Sequence, residues 1–234
     1  MAKILLIETA TPICSVAIAI DGQIAAMKES SEPNSHSAKL SVMIQDILEI
    51  SNIQYSELDA VCVSSGPGSY TGLRIGVSTA KGLCYALEIP LMAINTLENI
   101  AAGYLQLHPQ YTGYICPMID ARRMEVYSAI FDNKGNYIRP TNADIITEDI
   151  YDQWLEENNI LFIGDGADKT RSILEGKNNV MFDTDFKISA KGMALIAEKR
   201  YENKQFEDVA YFEPFYLKDF VAAKPSVKGL TIQK

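Results

Sequence analysis

Apolar positions along this chain first follow the two-residue rhythm of strands and then the wider rhythm of helices. Ile4 to Ile7 is a short apolar run and Cys14 to Ile20 alternates, so both read as strands. Asp21-Gly22 is a strong hairpin turn, which makes Gln23 to Lys28 the returning strand. Between Ser35 and Ile50 the apolar residues Leu40, Met43, Ile44, Ile47 and Leu48 recur at helical spacing and line one face. Leu58 to Val63 reads as a buried strand, and Val77 to Leu87 as a helix beyond the glycine-rich stretch Gly66 to Gly76. Ile89 to Ile94 is a further strand, and Thr96 to Leu107 a further helix.

The layout then repeats. Tyr114 to Ile119 and Glu125 to Phe131 read as strands, Asn133-Lys134-Gly135-Asn136 as a turn, and Tyr137 to Arg139 as the start of a third strand. An acidic residue ends the first strand of each half, Glu8 and Asp120, and a turn glycine follows each, Gly22 and Gly135. Asp149 to Asn158 is helical, Ile160 to Ile163 is a strand ending at Gly164-Asp165-Gly166-Ala167, and Ala190 to Asn203 is the last clear helix. Pro214 to Lys234 reads as a short strand and a loose tail, and the hinge falls between Leu107 and Gly113. Hairpins followed by strand–helix alternation predict an α/β fold: a mixed sheet with helices on its faces, built twice. The lobes expected are residues 1–107 and a smaller 108–234, with the tail after about 213 packing back on the first lobe.

Composition narrows the function. Apolar residues make up 47% of 234, enough for a sizeable core, and the formal net charge is −9. Such a chain repels phosphate backbones at long range, so binding RNA unaided is not expected. Met1-Ala2-Lys3 leads straight into a strand and no apolar run reaches the length of a membrane span, so a cytoplasmic protein without membrane contact is expected. Cys14, Cys62, Cys84 and Cys116 lie far apart in apolar segments, which suits reduced core thiols.

The glycine-rich stretch is the first candidate site. A glycine turn between strand and helix suits an anion because the first amides of a helix lack internal partners, and Gly66, Gly68, Ser69, Thr71 and Gly72 would form such a loop. It matches neither nucleotide fingerprint: no Gly-Lys-Ser/Thr follows, and Thr71 stands where a third glycine belongs. The competing reading is a tight turn with close helix packing, Ser69 or Thr71 serving as N-cap. Histidine is limited to His36 and His108, and the position one turn beyond His36 is Leu40, so no metal site is expected. Glu8 and Asp120 can hold a cation or orient water, or can cap their own turns. Asp120-Ala121-Arg122-Arg123 reads equally as a local ion pair. No Ser/His/Asp or Cys/His set can be assembled, so no catalytic residue is assigned.

Together these segments resemble a known family. Ile7-Glu8-Thr9-Ala10-Thr11 with Cys14-Ser15-Val16-Ala17 resembles the opening of actin-like ATPase-fold proteins. Ser35-His36-Ser37, the stretch Gly66-Pro67-Gly68-Ser69-Tyr70-Thr71-Gly72-Leu73-Arg74-Ile75-Gly76, Asp120-Ala121-Arg122-Arg123-Met124-Glu125-Val126-Tyr127 and Pro214-Phe215-Tyr216-Leu217 resemble the TsaB family, also called YeaZ and once grouped with the glycoproteases. The matches run from Ile4 to Leu217.

The resemblance implies a two-lobed actin-like (ribonuclease H-like) fold with a reduced second lobe. It implies a noncatalytic scaffold for threonylcarbamoylation of the adenosine beside the anticodon of tRNA. The partners it implies are the catalytic relative TsaD and the small ATPase TsaE, with tRNA met through the complex and a homodimer formed when the chain is alone. TsaD carries a metal-holding histidine pair on its first helix, and here Leu40 replaces the second member. Glu8 stands where the family often has Asp. The family's pairing surface implies that the first two helices, Ser35–Ile50 and Thr71–Leu87, present His36, Leu40, Met43, Ile44, Ile47, Leu73, Val77, Ala80 and Cys84 to a partner, the alternative being that these residues are intramolecular core. No cofactor is implied with certainty, and weak ATP or ADP binding stays open. The alternative reading is a metal- or nucleotide-dependent hydrolase, such as a peptidase. A third is an actin-fold kinase using the Gly164–Ala167 turn.

Overall fold

The computed structural model describes residues 1–32 and 35–218. Two five-stranded sheets repeat one plan. The first runs β3-β2-β1-β4-β5, from β1 (Lys3–Glu8), β2 (Cys14–Ile20), β3 (Gln23–Ser30), β4 (Ala60–Gly66) and β5 (Leu91–Asn95). The second runs β10-β9-β6-β7-β8, from β6 (Tyr114–Asp120), β7 (Glu125–Phe131), β8 (Tyr137–Ile145), β9 (Ile160–Ile163) and β10 (Val180–Asp183). In each sheet three antiparallel strands are extended by two parallel ones, so β6–β10 repeat β1–β5 in order and direction. The hairpin at Asp21-Gly22 has both residues at positive φ, 48° and 71°, which matches the twist of the flanking strands.

The helices show how the second lobe is reduced. Between the third and fourth strands of the first lobe lies α1 (Ser35–Ser51, 17 residues), and between the fourth and fifth lies α2 (Tyr70–Leu87, 18 residues). Their counterparts are α4 (Asp152–Glu157, 6 residues) and α5 (Arg171–Leu174, 4 residues). The remaining helices are α3 (Thr96–Leu107) and α6 (Ala194–Glu202), the latter led in by a 3₁₀ turn at Ala190–Met193.

Strand alternation sends opposite side chains of the first sheet into two cores. Leu5, Ile7, Val16, Ile18, Val61 and Val63 meet α1 and α2, while Ile4, Leu6, Ala17, Ala19, Cys62 and Ile94 meet Ala190, Met193, Ala194 and Ala197. Burial on both faces is why these strands read as unbroken apolar runs. On the second sheet, Leu97, Ile100, Ala101 and Tyr104 of α3 cover one face, and Tyr151, Leu155 and Leu174 cover the other.

The lobes are therefore interleaved. α3, from the first half of the chain, lies on the second sheet, and α6, from the second half, lies on the first. The boundary expected near residue 107 separates the sheets but not the packing units. The chain after α6 returns to the first lobe: Glu207 N donates to Leu91 O (2.8 Å), Lys81 Nζ donates to Phe212 O (2.9 Å), and Phe215 N donates to Ser65 O (2.7 Å).

Several boundaries differ from expectation. α2 begins at Tyr70, inside the glycine stretch, because Ser69 caps it there. The expected helix from Asp149 starts at Asp152. β10 and α5 are only four residues each, too short to show a period. No strand forms over residues 214–218, and the rest of the expected tail lies outside the described residues.

Candidate functional site between the lobes

The glycine-rich stretch packs against the turn that follows β1. Ser69 N donates to Ala10 O (2.6 Å), and Ser69 Oγ accepts from Gly72 N (3.2 Å), so Ser69 is the N-cap and Thr71 is not. A Cβ added at Gly68 would fall on the Ala10 carbonyl oxygen, one at Gly72 on the Thr9 carbonyl oxygen, and one at Gly76 on Thr9 Oγ1. At Gly66, whose φ is 107°, a Cβ would lie 2.7 Å from Phe215 O. At Gly66, Gly68, Ser69 and Gly72 of the anion loop considered with Thr71, protein carbonyl oxygens are the near neighbours, and these disfavour an anion there. These glycines let the helix approach the β1–β2 turn and the returning tail.

The strand-end carboxylates cap their own turns in both lobes. Glu8 Oε1 accepts from Ala10 N (2.7 Å), and Asp120 Oδ1 accepts from Arg122 N (2.8 Å). Glu8 is wholly buried, and its Oε2 accepts from Asn99 Nδ2 on α3 (2.7 Å). Burial pushes its pKa up to about 7, against hydrogen bonds from Ala10 and Asn99. Around it lie Ser64 Oγ and Thr96 Oγ1, 2.8 Å apart, while Thr9 Oγ1 and Asn99 Oδ1 have no hydrogen-bond partner. A polar cluster thus joins β1, β4 and α3 at the centre of the molecule. Burial also pushes up Asp120, but hydrogen bonds from Lys169 and Arg122 N outweigh it and hold this carboxyl below its ordinary value.

His36 Nε2 donates to Thr11 O (3.0 Å), and Leu40, one turn on, is buried in the core. Among the described residues no group of His, Cys, Asp or Glu could hold a metal ion. The donors present do not fit a metal at the position the resemblance points to.

A cleft of about 530 Å³ opens between the lobes. It is lined by Thr11, Pro12 and Ile13 from the β1–β2 turn, Ile100 from α3, and Gly164 and Asp165 from the turn after β9. Gly164, at φ 99°, has no room for a Cβ beside the Met118 carbonyl, so this turn is shaped by close packing on β6. Asp165 Oδ1 accepts from Asp120 N (3.2 Å), and burial raises the pKa of Asp165.

For the helix residues named for a partner surface, burial favours the alternative that they belong to the core. Leu40, Met43, Ile44, Ile47, Leu73, Val77, Ala80 and Cys84 are all buried inside the first lobe, all but Leu73 in the core cluster under the sheet, and only His36 is partly accessible. An amphipathic stripe satisfied by its own sheet has nothing left for a partner. The accessible face of these helices carries Val42, Ile50, Arg74, Ser78, Gly82 and Tyr85 instead, with Tyr85 83% exposed. Asn99 and Lys169, which hold the two strand-end carboxylates, were not singled out in the sequence. Their partners lie 91 and 49 residues away, beyond the reach of any local pattern.

Comparison with known proteins agrees with this architecture. The family described as "TsaD: tRNA N6-adenosine threonylcarbamoyltransferase" matches residues 30–226. The chain is similar to the tRNA threonylcarbamoyladenosine biosynthesis protein TsaB of Escherichia coli (strain K12), 31% identical over 95% of this chain and 97% of that protein. It is similar to the protein of the same description from Bacillus subtilis (strain 168), 29% identical over 74% of this chain and 75% of that one. Its fold is shared with the solved structure of YeaZ from Pseudomonas aeruginosa, with a TM-score of 0.79 and 22% identity, covering 93% of this chain and 100% of that one. Among the described residues no helix is long and apolar enough to cross a membrane.

Proposed function

The chain belongs to the TsaD family, within its TsaB (YeaZ) group, and from that premise we propose that it acts in tRNA threonylcarbamoyladenosine biosynthesis as a noncatalytic subunit supporting a TsaD transferase. The observation that carries this reading is how the centre of the fold uses its polar groups. Glu8 and Asp120 close their own turns, His36 holds the Thr11 carbonyl, and Leu40 fills the position one turn beyond His36. None of these groups is left with both the freedom and the neighbours that acid–base or Lewis-acid chemistry needs. The peptidase alternative is not favoured, since the relatives at about 30% identity are described as biosynthesis proteins.

Pairing with TsaD uses the outer face of α1 and α2. That face exposes Val42, Ile50 and Tyr85, apolar or aromatic groups suited to an interface core. It also carries Gly82 in mid-helix with nothing within 4 Å of where a Cβ would stand, a position that admits close approach of a second helix. TsaE joins the pair, and tRNA is the substrate of the whole complex. When the partner is absent the same face pairs two copies of this chain. Weak ATP or ADP binding would fall in the interlobe cleft.

Reconstituting threonylcarbamoylation with TsaD, TsaE and the enzyme that supplies threonylcarbamoyl-adenylate, with and without this chain, tests the reading. Modification is expected to collapse without it. Equal modification in its absence would refute the assignment.

A further inference from the structure

The loop between β6 and β7 presents two adjacent arginines whose charged groups point to no bonded partner among the described residues. Arg122 and Arg123 are exposed, and among the described residues neither guanidinium has a hydrogen bond or ion pair. The other arginines are engaged: Arg139 with Asp144, Arg171 with Asp168 and Glu175, Arg200 with Glu98, and Arg74 over the Tyr70 ring at 4.5 Å. In a chain with 30 acidic residues against 21 lysines and arginines, two unpaired neighbours stand out.

Their backbone is held in place from several sides. Arg122 and Arg123 both have positive φ, 68° and 50°, a conformation that non-glycine residues adopt at a cost. Lys169 pairs with Asp120 and donates to Arg123 O (2.8 Å) and Glu125 O (2.6 Å). Ala121 N donates to Glu125 O (3.1 Å), and Ile146 N donates to Met124 O (3.0 Å). The loop is thereby fixed while both guanidinium groups stay in solvent.

The surroundings mix charge and aromatic rings: Asp120, whose carboxyl feels the Arg122 charge, and Glu125 lie beside the loop, each paired with a lysine. Lys218 pairs with Glu125, and the charges of Arg122 and Lys218 both act on the Tyr127 hydroxyl. Two residues before Lys218, the Tyr216 ring lies 4.8 Å from Tyr70, and Phe215 is 42% exposed. Guanidinium groups carried on a fixed backbone match phosphate oxygens, and the exposed Phe215 ring offers a face to an unstacked base.

We propose that Arg122 and Arg123 contact the phosphate backbone of the tRNA directly, so that this chain forms part of the RNA-binding surface of its complex. The inference rests on the function proposed above. RNA is favoured over an acidic protein because the adjoining rings suit bases and because the pathway's own substrate is a polyanion. A net charge of −9 limits the contact to RNA already held by the complex.

The test measures tRNA binding by the reconstituted complex across a salt series, comparing the natural chain with an Arg122→Gln, Arg123→Gln double variant and with the matching Arg→Lys pair. Loss of two phosphate contacts is expected to weaken binding at least about tenfold near ~0.15 M salt and to flatten the log–log salt slope by about 1.8, with the lysine pair keeping most of the slope. Assembly without RNA, read by co-elution, is expected to be unchanged. As a check independent of variants, bound tRNA should shield both arginines from a dicarbonyl reagent, read by mass spectrometry. Unchanged affinity and slope, absence of shielding, or loss of assembly without RNA (the sign of an acidic protein partner) each overturn the inference. If omitting the chain lowers modification while the double variant binds tRNA normally, the inference fails alone; if omission has no effect, the proposed function fails with it.

Discussion

Glu8 is a carboxylic acid in the middle of the molecule, held by one backbone amide and one side-chain amide. Burial moves its pKa from 4.5 up to about 7, so the folded state binds this proton more tightly than the unfolded chain. The stability linked to this proton is complete below about pH 4.5 and declines as pH rises through about 7. The Glu8 charge acts on the Cys14 and Cys62 thiols; burial pushes Cys14 up to about 11 and also raises Cys62, so both stay neutral across that window. Glu8→Gln keeps an acceptor for Ala10 N and, once the Asn99 amide turns over to present Oδ1 in place of Nδ2, supplies a donor to that oxygen, which now lacks a partner. Urea unfolding between pH 5 and 8 is expected to show the natural protein losing stability with pH while Glu8→Gln stays flat and is at least as stable at pH 8. A natural protein as flat as the variant would show that the Glu8 pKa is not raised. Glu8→Ala leaves two buried donors unpaired and is expected to cost about 2–4 kcal/mol at any pH in that range. The sequence marked Glu8 by its place at a strand end but could not show its burial, because that depends on Asn99, 91 residues away.

α2 sets two glycines of opposite consequence on one helix. Gly72 lies against the Thr9 carbonyl, where a methyl group has no room, whereas Gly82 faces open space. Gly72→Ala must push the helix off the β1–β2 turn and is expected to destabilise by about 1–3 kcal/mol. Gly82→Ala removes only backbone freedom from the unpaired monomer and, at concentrations too low for two copies to pair, should stabilise it by up to about 1 kcal/mol. Denaturant midpoints of the two variants should therefore move in opposite directions; movement in the same direction would contradict the packing described for α2. The same helix shows what the sequence leaves open. Its first turn read as loop because glycine and serine disfavour a helix locally, yet Ser69 caps it and the glycines are required by a contact with Thr9 and Ala10. Its stripe Leu73, Val77, Ala80 and Cys84 was legible as one apolar face, but periodicity cannot distinguish a helix's own sheet from a partner. The strands were clearer, since two-sided burial leaves dense apolar runs, and the exception is β10, a half-exposed edge strand with a weak signal.

At the scale of the molecule, the duplication was visible as two strand-end acids and two turn glycines, but the exchange of helices between lobes was not. α3 puts Leu97, Ile100 and Ala101 on the second sheet, and α6 puts Ala194 and Ala197 on the first, so each sheet has one face covered by the other half of the chain. Separation would expose both faces, and Gly103 and Gly192, packed closely where α3 meets the turn before α6, tie the exchange together. Neither lobe can open without uncovering the core of the other, and the two should unfold as one unit. Two probes report the lobes separately. Trp154 is the single tryptophan and sits on α4 of the second lobe, while the buried Cys14, Cys62 and Cys84 report the first. Tryptophan fluorescence and labelling of the cysteines, the latter on a Cys116→Ser variant with the fluorescence repeated on that same variant, are expected to share one denaturant midpoint. Midpoints that separate, with cysteines reacting while Trp154 stays native or the reverse, would mean that α3 and α6 do not couple the lobes. Residues 1–107 expressed alone would retain the first sheet but leave α3 without the sheet it covers and Ile4, Leu6 and Cys62 without α6. That fragment is expected to show no cooperative transition, whereas a sharp one would restore the boundary near residue 107 as a true division between folding units.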